Sequence, residues 1–318
     1  MELQVLRIQL AVLALRFLNG RGILVLFPAE SRLLSIGSNP RMRMAPSSNL
    51  LPMAFVGGAA IGVLGGMIGL GGAEFRLPLL IGVFGFAALQ AVVMNKAMSL
   101  IVVITALPAR LFGLPFSDVA PHWPIVVNLL AGSLVGAWLG ATWAIKMTST
   151  ALYRILAVLL VLIAIVLVLS HTGSLHQISL DGWAQIVLGL VAGVAIGVVA
   201  ALMGVAGGEL LIPTIVLLYG VDIKVAGSLS LAVSLPTMLV AFARYSTDES
   251  FQVLRRNRSC VLTMAVGSVL GALVGGLLLG VVPSAVIVPL LGTLLLLSSV
   301  KVWGHAAPIS VERSETLN

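Results

Sequence analysis

Apolar residues fill most of the chain after residue 50, in runs separated by short polar or glycine-rich stretches. About 20 apolar residues cross a bilayer as a helix, so these runs predict transmembrane or half-membrane helices. The ten predicted segments are 51–71, 77–93, 96–114, 124–145, 151–170, 183–205, 210–222, 225–244, 260–281 and 284–303. The second and seventh are short, and each follows a glycine-rich stretch. We therefore expect an all-α polytopic membrane protein.

The apolar pattern repeats itself 135 residues later without a gap. The aligned stretches are GVLGGMIGLGGAEFRLP (62–78) with GVVAALMGVAGGELLIP (197–213), and GSLVGAWLG (132–140) with GSVLGALVG (267–275). A repeat this long indicates one folding unit that has been duplicated within the chain. We expect one membrane domain over 49–303, with repeat one at 51–170 and repeat two at 183–303.

Loop charges predict that the two repeats are inverted, as an odd number of five segments per repeat requires. The loop after the third segment (114–124) has no Lys or Arg, whereas its equivalent carries Arg255, Arg256 and Arg258. Lys and Arg favour the cytoplasmic side of a membrane, so these equivalent loops lie on opposite sides. Both termini are then cytoplasmic. Lys224 falls on the outer side in this arrangement and is a point against it.

The two ends of the chain are polar or basic. Residues 1–48 carry six Arg against two Glu and form a basic extension. This extension is either cytoplasmic or not native, with translation starting at Met44 or Met53. Residues 304–318 form a polar C-terminal tail.

Composition restricts the class of protein. Only 9% of the residues are charged, against roughly 25% in soluble domains, which indicates a multi-pass protein of the cell inner membrane. The net charge of +7 comes without a basic stripe interleaved with aromatic residues, so nucleic-acid binding is not indicated. His122, His171, His176 and His305 lie in loops or the tail without acidic partners at ligand spacing. We expect no metal, no cofactor and no enzymatic activity.

The stretch GLGGAEFRLP (69–78) favours a broken helix near the middle of the membrane. Glycine costs about 1 kcal/mol and proline about 3 kcal/mol inside a helix, and irregular backbone in a membrane must be buried or line a cavity. Close helix packing is the alternative reading of such glycines, and we favour it for the stripes within 132–140 and 267–275. The glycines that we expect at the breaks are Gly69, Gly71, Gly72, Gly204, Gly207 and Gly208.

The second half of a broken helix exposes N–H groups and the positive end of its dipole, which suits a small anion. Glu74 and Glu209 stand at equivalent places beside the two breaks. They either cap the half-helices or carry protons that accompany the substrate. Arg76, opposite Leu211, pairs with Glu74, helps to bind an anion, or lies at the interface.

Polar residues also open the long segment after each short one. Serine in a membrane helix is commonly a packing residue bonded to the backbone, but near the breaks these side chains are candidate anion donors. The candidates are Asn95, Ser99, Ser230 and Ser234. Lys96 is either a surface anchor or an anion ligand.

The paired motifs GLGGAEFRLPLL and GVAGGELLIPTI resemble the doubled Gly-Gly-Gly…Pro signature of the sulfite exporter TauE/SafE family. NKAMSLIVVITALPARL, GSLSLAVSLPTMLVAFARY and the later G-S-x-x-G-A-x-x-G helix of each half are similar to the rest of its pattern. The resemblance covers roughly residues 51–303. The chain departs from the family at Ala73-Glu74, where a third glycine is common, and at Asn95-Lys96, where a small hydroxyl residue is common.

The resemblance implies a permease that exports sulfite, an organosulfonate or a related anion with the proton gradient as driving force. A passive anion channel with the same inverted repeats is the alternative function. The expected partners are a small anionic substrate, the lipid bilayer and protons. The substrate, the direction of transport and the formation of a homo-oligomer stay open at this point.

Overall fold

The computed structural model of the protein describes residues 50–68, 72–113, 120–171, 182–277 and 284–305. Within these ranges the regular structure is helical. The α-helices are α1 Leu50–Ile68, α2 Ala73–Gly82, α3 Ala88–Gly113, α4 Trp123–Lys146, α5 Ser149–His171, α6 Trp183–Met203, α7 Gly208–Tyr219, α8 Ile223–Tyr245, α9 Gln252–Arg256, α10 Arg258–Leu277 and α11 Ser284–Gly304. Turns of 3₁₀-helix precede α4 and α9, at Ala120–His122 and Glu249–Phe251.

Seven helices in the described ranges are long and apolar enough to cross a bilayer, namely α1, α3, α4, α5, α6, α8 and α10. α2 and α7 have only 10 and 12 residues, or about 15–18 Å at the usual rise, and cannot cross alone. Large apolar side chains such as Val56, Trp183 and Val300 are exposed, and lipid is the solvent that suits them. The all-α, multi-pass prediction is confirmed.

Three predicted boundaries in the first half of the chain were wrong. The short segment expected at 77–93 is α2, which begins four residues earlier and ends at Gly82, and the next helix begins at Ala88 rather than at residue 96. Gly85, with φ +70°, lies in the turn between them. Pro78 lies inside α2 although we expected irregular backbone there. Residues Ala73 to Ile81 are all buried, so packing outweighs the cost of the proline.

Glycine stripes hold α1 against α10 and α4 against α6. A Cβ atom on Gly62 of α1 would meet the Ser268 carbonyl, and a Cβ on Gly197 of α6 would meet the Ser133 carbonyl. These two contacts are equivalent at the 135-residue offset. The facing stripes behave in the same way: Gly132, Gly136 and Gly140 meet backbone of α6, and Gly267, Gly271 and Gly275 meet backbone of α1. The packing interpretation of these glycines is confirmed.

Each of these two helix pairs runs parallel. Along α4, Gly132, Gly136 and Gly140 meet in order the carbonyls of Leu190, Val194 and Val198 on α6. Each half therefore packs its first helix against an equivalent later helix of the other half, α1 against α10 and α6 against α4. The small side chains allow the backbones to approach closely, which is how membrane helices gain van der Waals contact.

α5 and α11 begin at equivalent positions, Ser149 and Ser284. Near the start of α5, the guanidinium of Arg154 lies 6.0 Å from the ring centroid of Trp303, near the end of α11. Near the end of α5, Val168 lies beside Gly292, in the first half of α11. These equivalent helices therefore run antiparallel to each other.

α3 is the most buried of the seven candidate spans. It packs against α2, α6, α8 and α10 and so lies between the two halves of the chain. A polar residue on its inner face therefore meets protein rather than lipid, and this helix positions the site.

Candidate functional site

The two short helices begin in the same way. Gly72 precedes α2 with φ 71°, and Gly207 precedes α7 with φ 83°. This left-handed conformation favours glycine. The first-turn N–H groups of a helix have no acceptor inside the helix, so both starts leave donors available. Gly69 and Gly71 lie outside the described residues.

Glu74 and Glu209, one in the first turn of each short helix, are 2% and 7% exposed. Their carboxyl groups lie close enough to repel each other by charge when both are ionised. Among the described residues no group donates to Oε2 of Glu74 or to either oxygen of Glu209.

Arg76 follows on α2 and is 1% exposed. Its Nη2 donates to Ser99 Oγ at 3.0 Å, whereas Nε and Nη1 have no acceptor among the described residues. Its guanidinium interacts electrostatically with both Glu74 and Glu209. Of the three alternatives, a position at the membrane interface is wrong, because the side chain is buried.

Lys96 is completely buried on α3. Its Nζ donates to the carbonyls of Ala200 and Val205, both at 2.8 Å, so it caps the C-terminal end of α6. Its charge also attracts Glu209. The surface-anchor interpretation of Lys96 is therefore wrong, and its hydrogen bonds go to protein carbonyls.

Asn95 and Ser99 also donate hydrogen bonds to backbone carbonyls, at the start of α2 and at the end of α6. Asn95 Nδ2 donates to Ala73 O at 2.9 Å and to Met203 O at 3.1 Å, so it joins the start of α2 to the end of α6. Ser99 Oγ donates to Gly204 O at 3.3 Å. Their donors, expected to face an anion, are engaged with the protein in this structure.

The other predicted site residues, Gly204, Gly208, Ser230 and Ser234, have different neighbours in the structure. Gly204 has φ +69°, and a Cβ there would meet the Val92 carbonyl of α3, so this glycine permits a close approach. Gly208 has open space where a Cβ would lie. Ser230 and Ser234 are buried on α8, and Ser230 Oγ donates to Gly227 O of its own helix at 2.8 Å.

Sequence reasoning missed Tyr245. Its hydroxyl, at the end of α8, donates to Ala201 O at 2.9 Å. Together with Asn95, Lys96 and Ser99, it donates to backbone carbonyls at and just after the end of α6. Those of Ala200 and Ala201 also accept from backbone N–H groups. The sequence offered no signal for Tyr245, because an aromatic residue near a helix end is typical of a membrane interface.

Four buried ionisable side chains thus meet between two equivalent helix starts. Glu74, Arg76 and Lys96 come from the first half of the chain and Glu209 from the second. Ionisable groups within a membrane domain mark substrate or ion pathways, and interrupted helices at equivalent places of two repeats mark transporter binding sites. The fold and site define a polytopic membrane protein of the transporter class.

Comparison with known proteins agrees with this class. The family model described as "Sulfite exporter TauE/SafE" matches residues 7–167 and, in a second match, residues 53–302. The chain belongs to the sulfite exporter TauE/SafE family. No curated protein and no solved structure matched the chain.

Proposed function

We propose that the protein is a secondary transporter in the cell inner membrane that exports a small anion. Sulfite, an organosulfonate or a related sulfur-containing or carboxylate anion is the expected substrate. One observation carries this function: the buried cluster of Glu74, Arg76, Lys96 and Glu209 lies where α2 and α7 begin. The N-terminal ends of the two helices and the positively charged side chains favour binding of an anion there. Membership of the TauE/SafE family supports the substrate class.

We further infer that repeats one and two have opposite orientation in the membrane. Equivalent helices α5 and α11 run antiparallel, with Arg154 at the start of one beside Trp303 at the end of the other. A pseudo-two-fold axis in the membrane plane relates helices in this way. The reciprocal contacts of the glycine stripes support the same symmetry. With the loop charges of the sequence, this arrangement leaves both termini in the cytoplasm.

Protons are the proposed coupling ion. Glu74 and Glu209 are equivalent, buried and close to each other, and a proton on one would relieve the repulsion between them. Protonation would also relieve the repulsion between a carboxylate and a bound anion. The proton would then leave the cell together with the substrate, so export proceeds while the outward substrate gradient exceeds the inward proton gradient.

Transport into proteoliposomes that contain the full chain tests this function. Sulfite, methanesulfonate and acetate are offered outside at acidic pH, with a neutral interior, and uptake by protein-free vesicles, which the uncharged acids enter through the lipid, is subtracted. A proton-coupled transporter accumulates its substrate above the external concentration, and preloaded vesicles release it when the substrate gradient is reversed. A passive channel would only equilibrate the anion across the membrane. Absence of movement for all these anions would refute the proposed substrate class.

A further inference from the structure

The guanidinium of Arg76 has hydrogen-bond donors that the described protein does not use. Nη2 donates to Ser99, but Nε and Nη1 have no acceptor among the described residues, although the side chain is 1% exposed. A buried charged donor without an acceptor is costly. A guanidinium presents its N–H groups as a planar fork that fits oxyanions with several oxygens. The free edge of Arg76 therefore suits such a ligand.

The carboxylates near Arg76 leave that edge free. Glu74 and Glu209 both attract the guanidinium electrostatically, but neither is hydrogen-bonded to its Nε or Nη1. A bound anion would be attracted by the same positive charge. Substrate and ionised carboxylate thus compete for one arginine.

The summed charge of Glu74, Arg76, Lys96 and Glu209 determines which ligand charge the buried site can hold. With Arg76 and Lys96 protonated and both carboxyls ionised, the four side chains sum to zero. A monovalent anion leaves one unbalanced negative charge, which is costly in a buried site, and one proton on Glu74 or Glu209 removes it. A divalent anion would require protons on both carboxyls.

Other titratable groups on the neighbouring helices are engaged elsewhere. Tyr245 on α8 donates its hydroxyl to Ala201 O. On α11, Lys301 lies beside Gly82 at the opposite end of α2. In the second half of the chain, Leu211 stands at the position equivalent to Arg76. The pseudo-symmetric pair of helix starts therefore has its arginine on one side only.

We propose that Arg76 is the substrate-binding residue, that it holds one monovalent oxyanion through Nε and Nη1, and that Glu74 or Glu209 takes up one proton per anion. Resting on the transport function proposed above, this assignment adds the charge class of the substrate and a single binding position. Sulfonates and hydrogen sulfite have the required charge and oxygens, whereas sulfate has the oxygens with twice the charge.

Methanesulfonate and sulfate provide a matched pair of probes for the full chain in proteoliposomes. We expect an acid-outside pH gradient to drive methanesulfonate uptake, with sulfate competing at least tenfold more weakly. One proton per monovalent anion carries no net charge. A potential imposed with potassium and valinomycin should therefore leave the uptake rate unchanged.

Substitutions of Arg76 test whether this side chain binds the substrate. Arg76→Gln should raise the apparent KM for methanesulfonate at least tenfold and abolish its thermal stabilisation of the purified protein, and Arg76→Lys should recover part of both. Arg154→Gln is the matched control, because that cation lies beside Trp303 outside the site, and it should keep the parental KM. If Arg76→Gln does not insert, the charge-matched double variant Arg76→Gln/Glu74→Gln is used for the binding measurement.

The outcomes separate this assignment from the transport function itself. An unchanged KM and unchanged thermal stabilisation in Arg76→Gln, or in the double variant, would overturn the role of Arg76 while transport stands. Uptake that follows the membrane potential, or sulfate as good a substrate as methanesulfonate, would overturn the charge class. If the parental protein moves sulfite but not methanesulfonate, the variants are assayed with sulfite. Failure of the parental protein with every anion would instead refute the proposed function.

Discussion

Gly72 and Gly208 lie beside equivalent breaks, yet a side chain would meet different surroundings at each. At Gly72, with φ +71°, a Cβ would lie 2.6 Å from the Ile61 carbonyl of α1. At Gly208 the same position is open. Gly72 therefore has a structural role in the fold, and Gly208 is the better probe of space beside the cluster.

Gly208→Leu should abolish transport while the amount of inserted protein stays near the parental level, because the side chain would fill that open space. Gly72→Leu should reduce both, since it also forces a leucine into a backbone conformation that glycine accepts freely. Uptake assays and membrane yields measure the two effects. Gly208→Ala is the matched control and should insert normally. Normal uptake by Gly208→Leu would place the substrate elsewhere.

Glu74→Gln and Glu209→Gln separate the two roles of the carboxyls. If they only cap helices, each change should cost about 1 kcal/mol or less and leave transport responsive to a pH gradient. We expect instead that one variant still exchanges substrate but no longer accumulates it, because glutamine cannot take up the proton. Counterflow and pH-driven uptake, measured on the same vesicles, give the result. Normal accumulation by both variants would leave the glutamates as structural residues.

The sequence pattern predicted part of this candidate site for physical reasons. Glycine pairs and acidic residues at equivalent places of a repeat stand out in an apolar chain, and Glu74 and Glu209 do lie together. The partners of Asn95 and Lys96 were not predictable, because three of their four acceptors are carbonyls more than 100 positions away. A carbonyl has no sequence signature, so only the fold could show what these side chains bind.

At the scale of helices, Lys96 connects α3 to the end of α6. Lys96→Met would remove the Lys96 donor from the carbonyls of Ala200 and Val205. The Ala200 carbonyl keeps its backbone N–H partners, so the expected cost is that of one unsatisfied group at Val205, about 1–3 kcal/mol. We expect a lower melting temperature in detergent and weaker transport. Lys146→Met, near the C-terminus of α4, is the control and should melt like the parental protein. Equal melting temperatures for both variants would show that the cap contributes little.

Helix existence was more predictable than helix boundaries. Long apolar runs gave α4 to α6 within a few residues, since hydrophobicity decides membrane insertion. The limits of α2 and α3 were misplaced because Pro78 and the surrounding glycines suggested irregular backbone. Burial of α2 against α3 and α11 stabilises a helix that its own residues disfavour, and this packing is a property of the whole fold.

At the scale of the molecule, opposite orientation of the repeats can be tested by cysteine labelling. In a Cys260→Ser background, Pro121→Cys should react with an impermeant thiol reagent from outside. Gln252→Cys, near the arginines that precede α10, should react only after the membrane is opened. Both positions are exposed in the structure, so burial cannot explain a difference. Labelling of both from outside would contradict the inverted arrangement.

The exchange of glycine stripes between the halves sets the order in which the chain completes its packing during synthesis. α1 packs along α10, which begins at Arg258, about 190 residues after α1 ends. At translation rates of about 5–20 residues per second, the ribosome needs roughly 10–40 s to supply that partner. For this interval the glycine face of α1 must be covered by lipid or by the insertion machinery, so a nascent chain stopped before α10 is the form most exposed to quality-control proteolysis.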